Sequence, residues 1–157
     1  MECADRRTVI AMIGGFALTS GLGPVSAALS PSGGFVMWHS PGCGCCLEWG
    51  RRIEAAFGRK LPILEVADMA AVKRAQNVPA DLQSCHTARI GNYVVEGHVP
   101  PADIKRLIAS KSRIVRGLAV PGMPLGSPGM EAGRNREAYK VIAFGAGGRR
   151  STFASHH

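Results

Sequence analysis

The apolar positions of the chain fall into two alternating rhythms. Phe35 to Trp38 form a short continuous apolar run that stops at Ser40-Pro41-Gly42, the signature of a buried strand entering a turn. Cys46, Trp49, Ile53, Ala56 and Phe57 then recur at helical spacing, with Glu48, Arg51, Arg52 and Glu54 on the other side and Gly58 as a stop. Ile63 to Val66 reads as a second strand. Asp68 can cap a helix whose apolar face is Met69, Val72 and Ala75, with Pro79 beyond its end. Thr87 to Ile90 and Tyr93 to Val95 flank the turn pair Gly91-Asn92 and predict a hairpin. Pro100-Pro101 opens a last helix carrying Ile104, Leu107 and Ile108.

The predicted order is therefore β-α-β-α-β-β-α. Beyond it, Gly117 to Met130 holds three prolines among persistent apolar residues and reads as a shaped, irregular loop. Tyr139 to Phe144, the turn Gly145 to Gly148, and Ser151 to Phe153 predict a closing hairpin.

The first residues follow a different logic. Arg6-Arg7 precede an apolar run from Val9 to about Gly23, a breaker at Pro24, and the small residues Val25-Ser26-Ala27-Ala28, which is the layout of an export signal. The run is short and glycine-diluted for a membrane span, so an uncleaved anchor is the lesser reading. The arginine pair also matches a twin-arginine signal in part, the alternative being an ordinary charged n-region. We thus divide the chain into a signal at 1–27, expected to be cleaved near Ala27 or Ala28, and one domain at 28–157, expected to be exported to the cell envelope.

Charge adds one exclusion. The chain has 157 residues and a formal net charge of +8. Its basic doublets, Arg51-Arg52, Arg59-Lys60, Lys73-Arg74, Lys105-Arg106 and Arg149-Arg150, are scattered and have almost no aromatic residues between them. That pattern predicts solvated surface and no nucleic-acid partner.

The candidate chemistry is concentrated in cysteines. Cys43, Cys45 and Cys46 lie within four residues at the predicted start of the first helix, and Cys85 stands in Ser84-Cys85-His86. Losing the signal would remove Cys3 and leave only these four. As a thiol–disulfide site, Cys43 would be held as thiolate by the helix terminus and Cys46 would resolve mixed disulfides, which leaves Cys45 without a role. Zinc could take Cys43, Cys46, Cys85 and His86, again leaving Cys45 idle, and the Cys85 and His86 side chains, as neighbours, are expected to point apart. Copper(I) uses every thiol, because it is soft, accepts low coordination numbers and lets one thiolate bridge two ions. Met123 and Met130 can add thioethers or a dry lid. His86 is a candidate ligand and His39 a weaker one. His98 is expected to be capping or surface, and His156 and His157 are loose terminal imidazoles.

The element order, with Cys-x-x-Cys where the first strand enters the first helix, resembles the thioredoxin and glutaredoxin fold, and Ala88 to Gly97 is similar to the glutaredoxin hairpin. In that fold the loop before the third strand faces the Cys-x-x-Cys terminus. Here it carries Cys85-His86 where thioredoxins hold a cis-proline. Four motifs in order sharpen the likeness: Ser40-Pro41-Gly42-Cys43-Gly44-Cys45-Cys46, Ser84-Cys85-His86-Thr87, Val94 to Pro100, and Gly117 to Glu131. Together they resemble the CopG-like periplasmic copper-resistance family across roughly residues 35–155. The resemblance implies a thioredoxin-like protein that binds several Cu(I) ions through Cys43, Cys45, Cys46 and Cys85, with His86, Met123 and Met130 in matching motifs. It also implies interconversion of Cu(I) and Cu(II) in copper detoxification, with copper-export or copper-chaperone proteins of the periplasm as partners. A thiol–disulfide oxidoreductase and a passive copper sink remain the alternative readings.

Overall fold

The computed structural model describes residues 34–131, 133 and 135–157; the segment 1–27, read as an export signal, lies outside them. The elements are β1 (Phe35–His39), α1 (Gly44–Phe57), β2 (Ile63–Glu65), α2 (Met69–Ala75), β3 (His86–Ile90), β4 (Tyr93–Glu96), α3 (Pro101–Ser110), β5 (Val115–Ala119), β6 (Tyr139–Gly145) and β7 (Arg150–His156). They build a mixed α/β fold around one seven-stranded sheet of order β2-β1-β3-β4-β5-β6-β7. β1–β2 and β4–β5 are parallel, and the other neighbours are antiparallel. No helix among the described residues is long and apolar enough to cross a membrane.

Strand alternation divides the core into two. Tyr93 and Val95 of β4 join Met37, Trp49, Ile53, Ile104, Leu107 and Leu118, which packs α1 and α3 on one face. Val94 turns the other way and meets Val78, Leu82, Ala119 and Phe144. Gly58 ends α1 in the left-handed conformation at φ 62°, and Asp68 caps α2 by accepting the Ala71 N–H at 2.8 Å.

Three expectations change. The loop expected from Gly117 begins as a strand, β5, which joins the closing hairpin to the rest of the sheet. Gly117 is there because the strands approach closely: a Cβ would fall 2.5 Å from the Phe144 ring. The buried face of α2 is Met69 and Lys73, while Val72 is half-buried and Ala75 exposed. Lys73 is accordingly the exception among the basic doublets, all of whose other members are exposed.

Candidate metal centre

Two walls face each other at one end of the sheet. The first is local. The Pro41-Gly42 turn delivers Cys43 to the N-cap of α1, where no side chain caps the helix. One helical turn brings Cys46 beside it, and the two form a disulfide with Cα atoms 5.4 Å apart. Cys46 is fully buried and Cys43 half-buried. Cys45 is a free thiol, its Sγ 3.5 Å from that of Cys43.

The second wall comes from strand ends far apart in sequence. Cys85 immediately precedes β3, and His86 is the first residue of that strand. Cys85 therefore lies outside the strict alternation of the strand, and the two side chains do not point apart as expected: Cys85 Sγ is 3.3 Å from His86 Nδ1. His98, expected at the surface or as a cap, is fully buried, with Nε2 3.0 Å from Cys85 Sγ. Its Nδ1 lies 2.8 Å from the Pro128 carbonyl oxygen. A carbonyl only accepts, so Nδ1–H donates and a neutral ring turns the Nε2 lone pair toward the thiol. The only sequence signal for this placement is Gly97 just before it, which turns the chain at φ 68°.

Burial sets the protonation of this wall. It pushes the Cys85 thiol up to about 12, with the Cys45 thiol adding to the shift. It also holds His86 well below the ordinary imidazole value, helped by electrostatic coupling to His98, the Lys73 ammonium and His39. His98 is lowered by burial as well, against the pull of the Pro128 carbonyl and Glu131. Both rings are neutral at pH 7 and competent as ligands, while Cys85 must release its proton to a metal.

A third segment closes over both walls. A Cβ at Gly129 would stand 2.9 Å from the Cys45 carbonyl oxygen and 3.0 Å from the Trp49 nitrogen, so this loop backbone lies directly on α1. Glu131 pairs with Arg52 at 3.1 Å, and the Ser84 hydroxyl donates to the Gly122 carbonyl. Met130, in this segment, is partly buried; Met123 is 52% exposed. His39 is buried with its Nδ1 2.7 Å from the Ser40 carbonyl oxygen and joins neither group of potential ligands. His156 is not loose, because it meets Asp103 at 2.8 Å and stacks on Tyr139; His157 is exposed.

Among the described residues, two groups have ligand atoms within 4.8 Å of one another: Cys43, Cys45, Cys46 and Cys85, and Cys85, His86 and His98. They share Cys85. Cys45 and Cys85 are free thiols, and reduction of the Cys43–Cys46 disulfide would make all four sulfurs thiol donors beside the neutral imidazoles, a set suited to soft and borderline metal ions. His86 Nε2 is fully buried with no hydrogen-bond partner among the described residues. The cysteine cluster can therefore bind metal.

Fold and site together define a mixed α/β protein with a metal-competent cysteine cluster at a helix terminus. Two solved structures share the fold. "Copper resistance protein copG- Form 2" is 43% identical, with a TM-score of 0.72 over 78% of this chain and 96% of that one. "Copper resistance protein copG- Form 1" is 42% identical, with a TM-score of 0.71 over 78% of this chain and 98% of that one. The chain belongs to the family of the copper resistance protein CopG. Residues 82–130, which contain Cys85, His86 and His98, also match the family described as "Protein of unknown function, DUF411". No curated protein matched.

Proposed function

We propose that the protein is a periplasmic copper-binding protein of copper resistance, built on a thioredoxin-like scaffold whose helix terminus and facing loop hold a Cu(I)–thiolate cluster. The observation that carries this reading is the convergence of four sulfurs from two walls within 4.8 Å. A dithiol enzyme needs two of them. Cu(I) uses all four, and four thiolates with four Cu(I) ions would be neutral, which removes the usual cost of burying charge. Met123 and Met130 are the candidate thioether donors, and His86 the candidate imidazole.

The Cys43–Cys46 disulfide adds a redox route. Two Cu(I) ions giving one electron each would reduce that disulfide to two thiols with uptake of two protons, leaving two Cu(II). The reverse direction would consume two Cu(II) and release the protons. The same disulfide also supports the second reading, a thiol–disulfide oxidoreductase in which the reduced Cys43 thiolate would attack a substrate disulfide, releasing one substrate thiolate, and Cys46 would resolve the mixed disulfide, releasing the other and re-forming Cys43–Cys46.

Anaerobic Cu(I) titration of the reduced protein, followed by thiolate-to-copper absorption and elemental analysis, separates the two. The copper reading expects several ions per chain, fewer after Cys45→Ser. Absence of tight binding, with disulfide exchange intact in Cys45→Ser, would establish the dithiol enzyme instead.

A further inference from the structure

Glu96 ends β4 with no exposure, outside both groups of potential ligands. It stands opposite Thr87 of β3. Its Oε2 accepts the Thr87 hydroxyl at 2.7 Å. Its Oε1 accepts the Ser84 backbone N–H at 2.7 Å and the Lys73 ammonium, which reaches in from α2 and is itself buried. Lys73 also donates to Thr87 Oγ1 at 3.2 Å. Burial raises the Glu96 carboxyl above the ordinary carboxylate value, against the charge of the adjacent Lys73 ammonium and the hydrogen bonds from Lys73, Thr87 and Ser84.

An ion pair in this position is a poor way to fasten a helix to a sheet, because well-packed apolar side chains do that as well or better. An apolar residue could not, however, accept the N–H of Ser84. That amide begins the segment carrying Cys85 and His86. The two residues after Glu96 grip the same segment. Gly97 is the point of closest approach, where a Cβ would lie 2.5 Å from Ser84 Oγ, and His98 reaches Cys85 Sγ. The end of β4 thus holds the Cys85 segment on both sides of the sheet.

We propose that Glu96, with Lys73 as its buried counter-ion, is a positioning residue that fixes Cys85 against the α1 cysteines by accepting the Ser84 N–H. Its functional meaning rests on the copper–thiolate reading; its geometry does not.

Two double variants of the full chain test it. Glu96→Gln with Lys73→Met removes both charges and keeps a carbonyl acceptor for Ser84. Glu96→Leu with Lys73→Met removes the acceptor too. The readout is the alkylation rate of Cys85 in reduced, metal-free protein, measured by peptide mass spectrometry relative to Cys45 of the same chain, which a general loosening would also expose. The Leu variant should speed Cys85 by about tenfold relative to Cys45, and the Gln variant should stay near the wild-type ratio. Equal ratios in all three proteins would overturn the proposal. If the Leu variant does not fold, amide hydrogen exchange of the wild type decides. Protection of the Ser84 N–H comparable to the β3 and β4 amides supports the proposal, and exchange at the rate of a free loop amide overturns it. Cu(I) counts on the same proteins keep the two readings apart. A wild type that binds no copper removes the copper reading and leaves the alkylation result standing.

Discussion

The two walls of the cysteine site are built on opposite principles. The α1 wall is one continuous stretch, Cys43 to Cys46, partly open, with a disulfide already inside it. The strand wall is assembled from residues 84–87 and 96–98, buried except at half-buried Ser84 and Cys85, and braced by Lys73 and the Pro128 carbonyl. The first holds its three sulfurs within one helical turn, so their proximity needs no contact from elsewhere in the chain. The second holds one thiol and two neutral imidazoles in place through contacts drawn from α2 and from the loop that carries Pro128. A site made this way pairs a sequence-local set of sulfurs with a set assembled from distant segments.

The contrast predicts unequal damage. Lys73→Met should cost the most, about 3–5 kcal/mol of unfolding free energy, since it strands the buried Glu96 carboxylate. Chemical denaturation measures it directly, and a loss below about 1 kcal/mol would mean that Glu96 is neutral in the fold. Gly97→Ala should follow, at about 2 kcal/mol or more, from the left-handed backbone and the collision with Ser84. The same denaturation series checks it.

Acid should weaken the strand wall next. His86 is held neutral in the fold, whereas in the unfolded chain it protonates near the ordinary imidazole value. Below about pH 6.5 the unfolded state therefore binds a proton that the native state does not, and stability falls by about 1.4 kcal/mol per pH unit from this residue. Denaturation of metal-free protein at pH 7, 6 and 5 should show the fall steepening toward that slope, and His86→Leu should reduce it, leaving the part that His98 contributes. The smallest effect belongs to the α1 wall. Cys43→Ser in oxidised, metal-free protein should lose no more than about 2 kcal/mol, because a disulfide across so few residues removes little freedom from the unfolded chain. A larger loss would show that the helix terminus is as rigidly integrated as the strand ends.

How much of this was legible in the sequence follows the same division. The element order through α3 and the closing hairpin followed from apolar periodicity and turn residues. The α1 cysteines were legible because helical spacing alone brings Cys43 and Cys46 together. Cys85 was placed opposite them through a resemblance. His98 and Lys73 were not found, since each looked like an ordinary polar residue in a turn or on a helix surface. Their burial depends on the Gly97 turn and on α2 packing against the sheet, and neither leaves a periodic trace. Gly117 misled for a related reason: glycine marks loops, but it also marks close backbone approach, and here the second applied.

The central claim is that both walls hold copper together, and X-ray absorption at the copper edge on the anaerobically Cu(I)-loaded protein tests it most directly. The account predicts a first shell dominated by sulfur with copper–copper scattering, and a loss of both sulfur neighbours and bound copper in Cys85→Ser. A nitrogen and oxygen shell that Cys85→Ser leaves unchanged would contradict it.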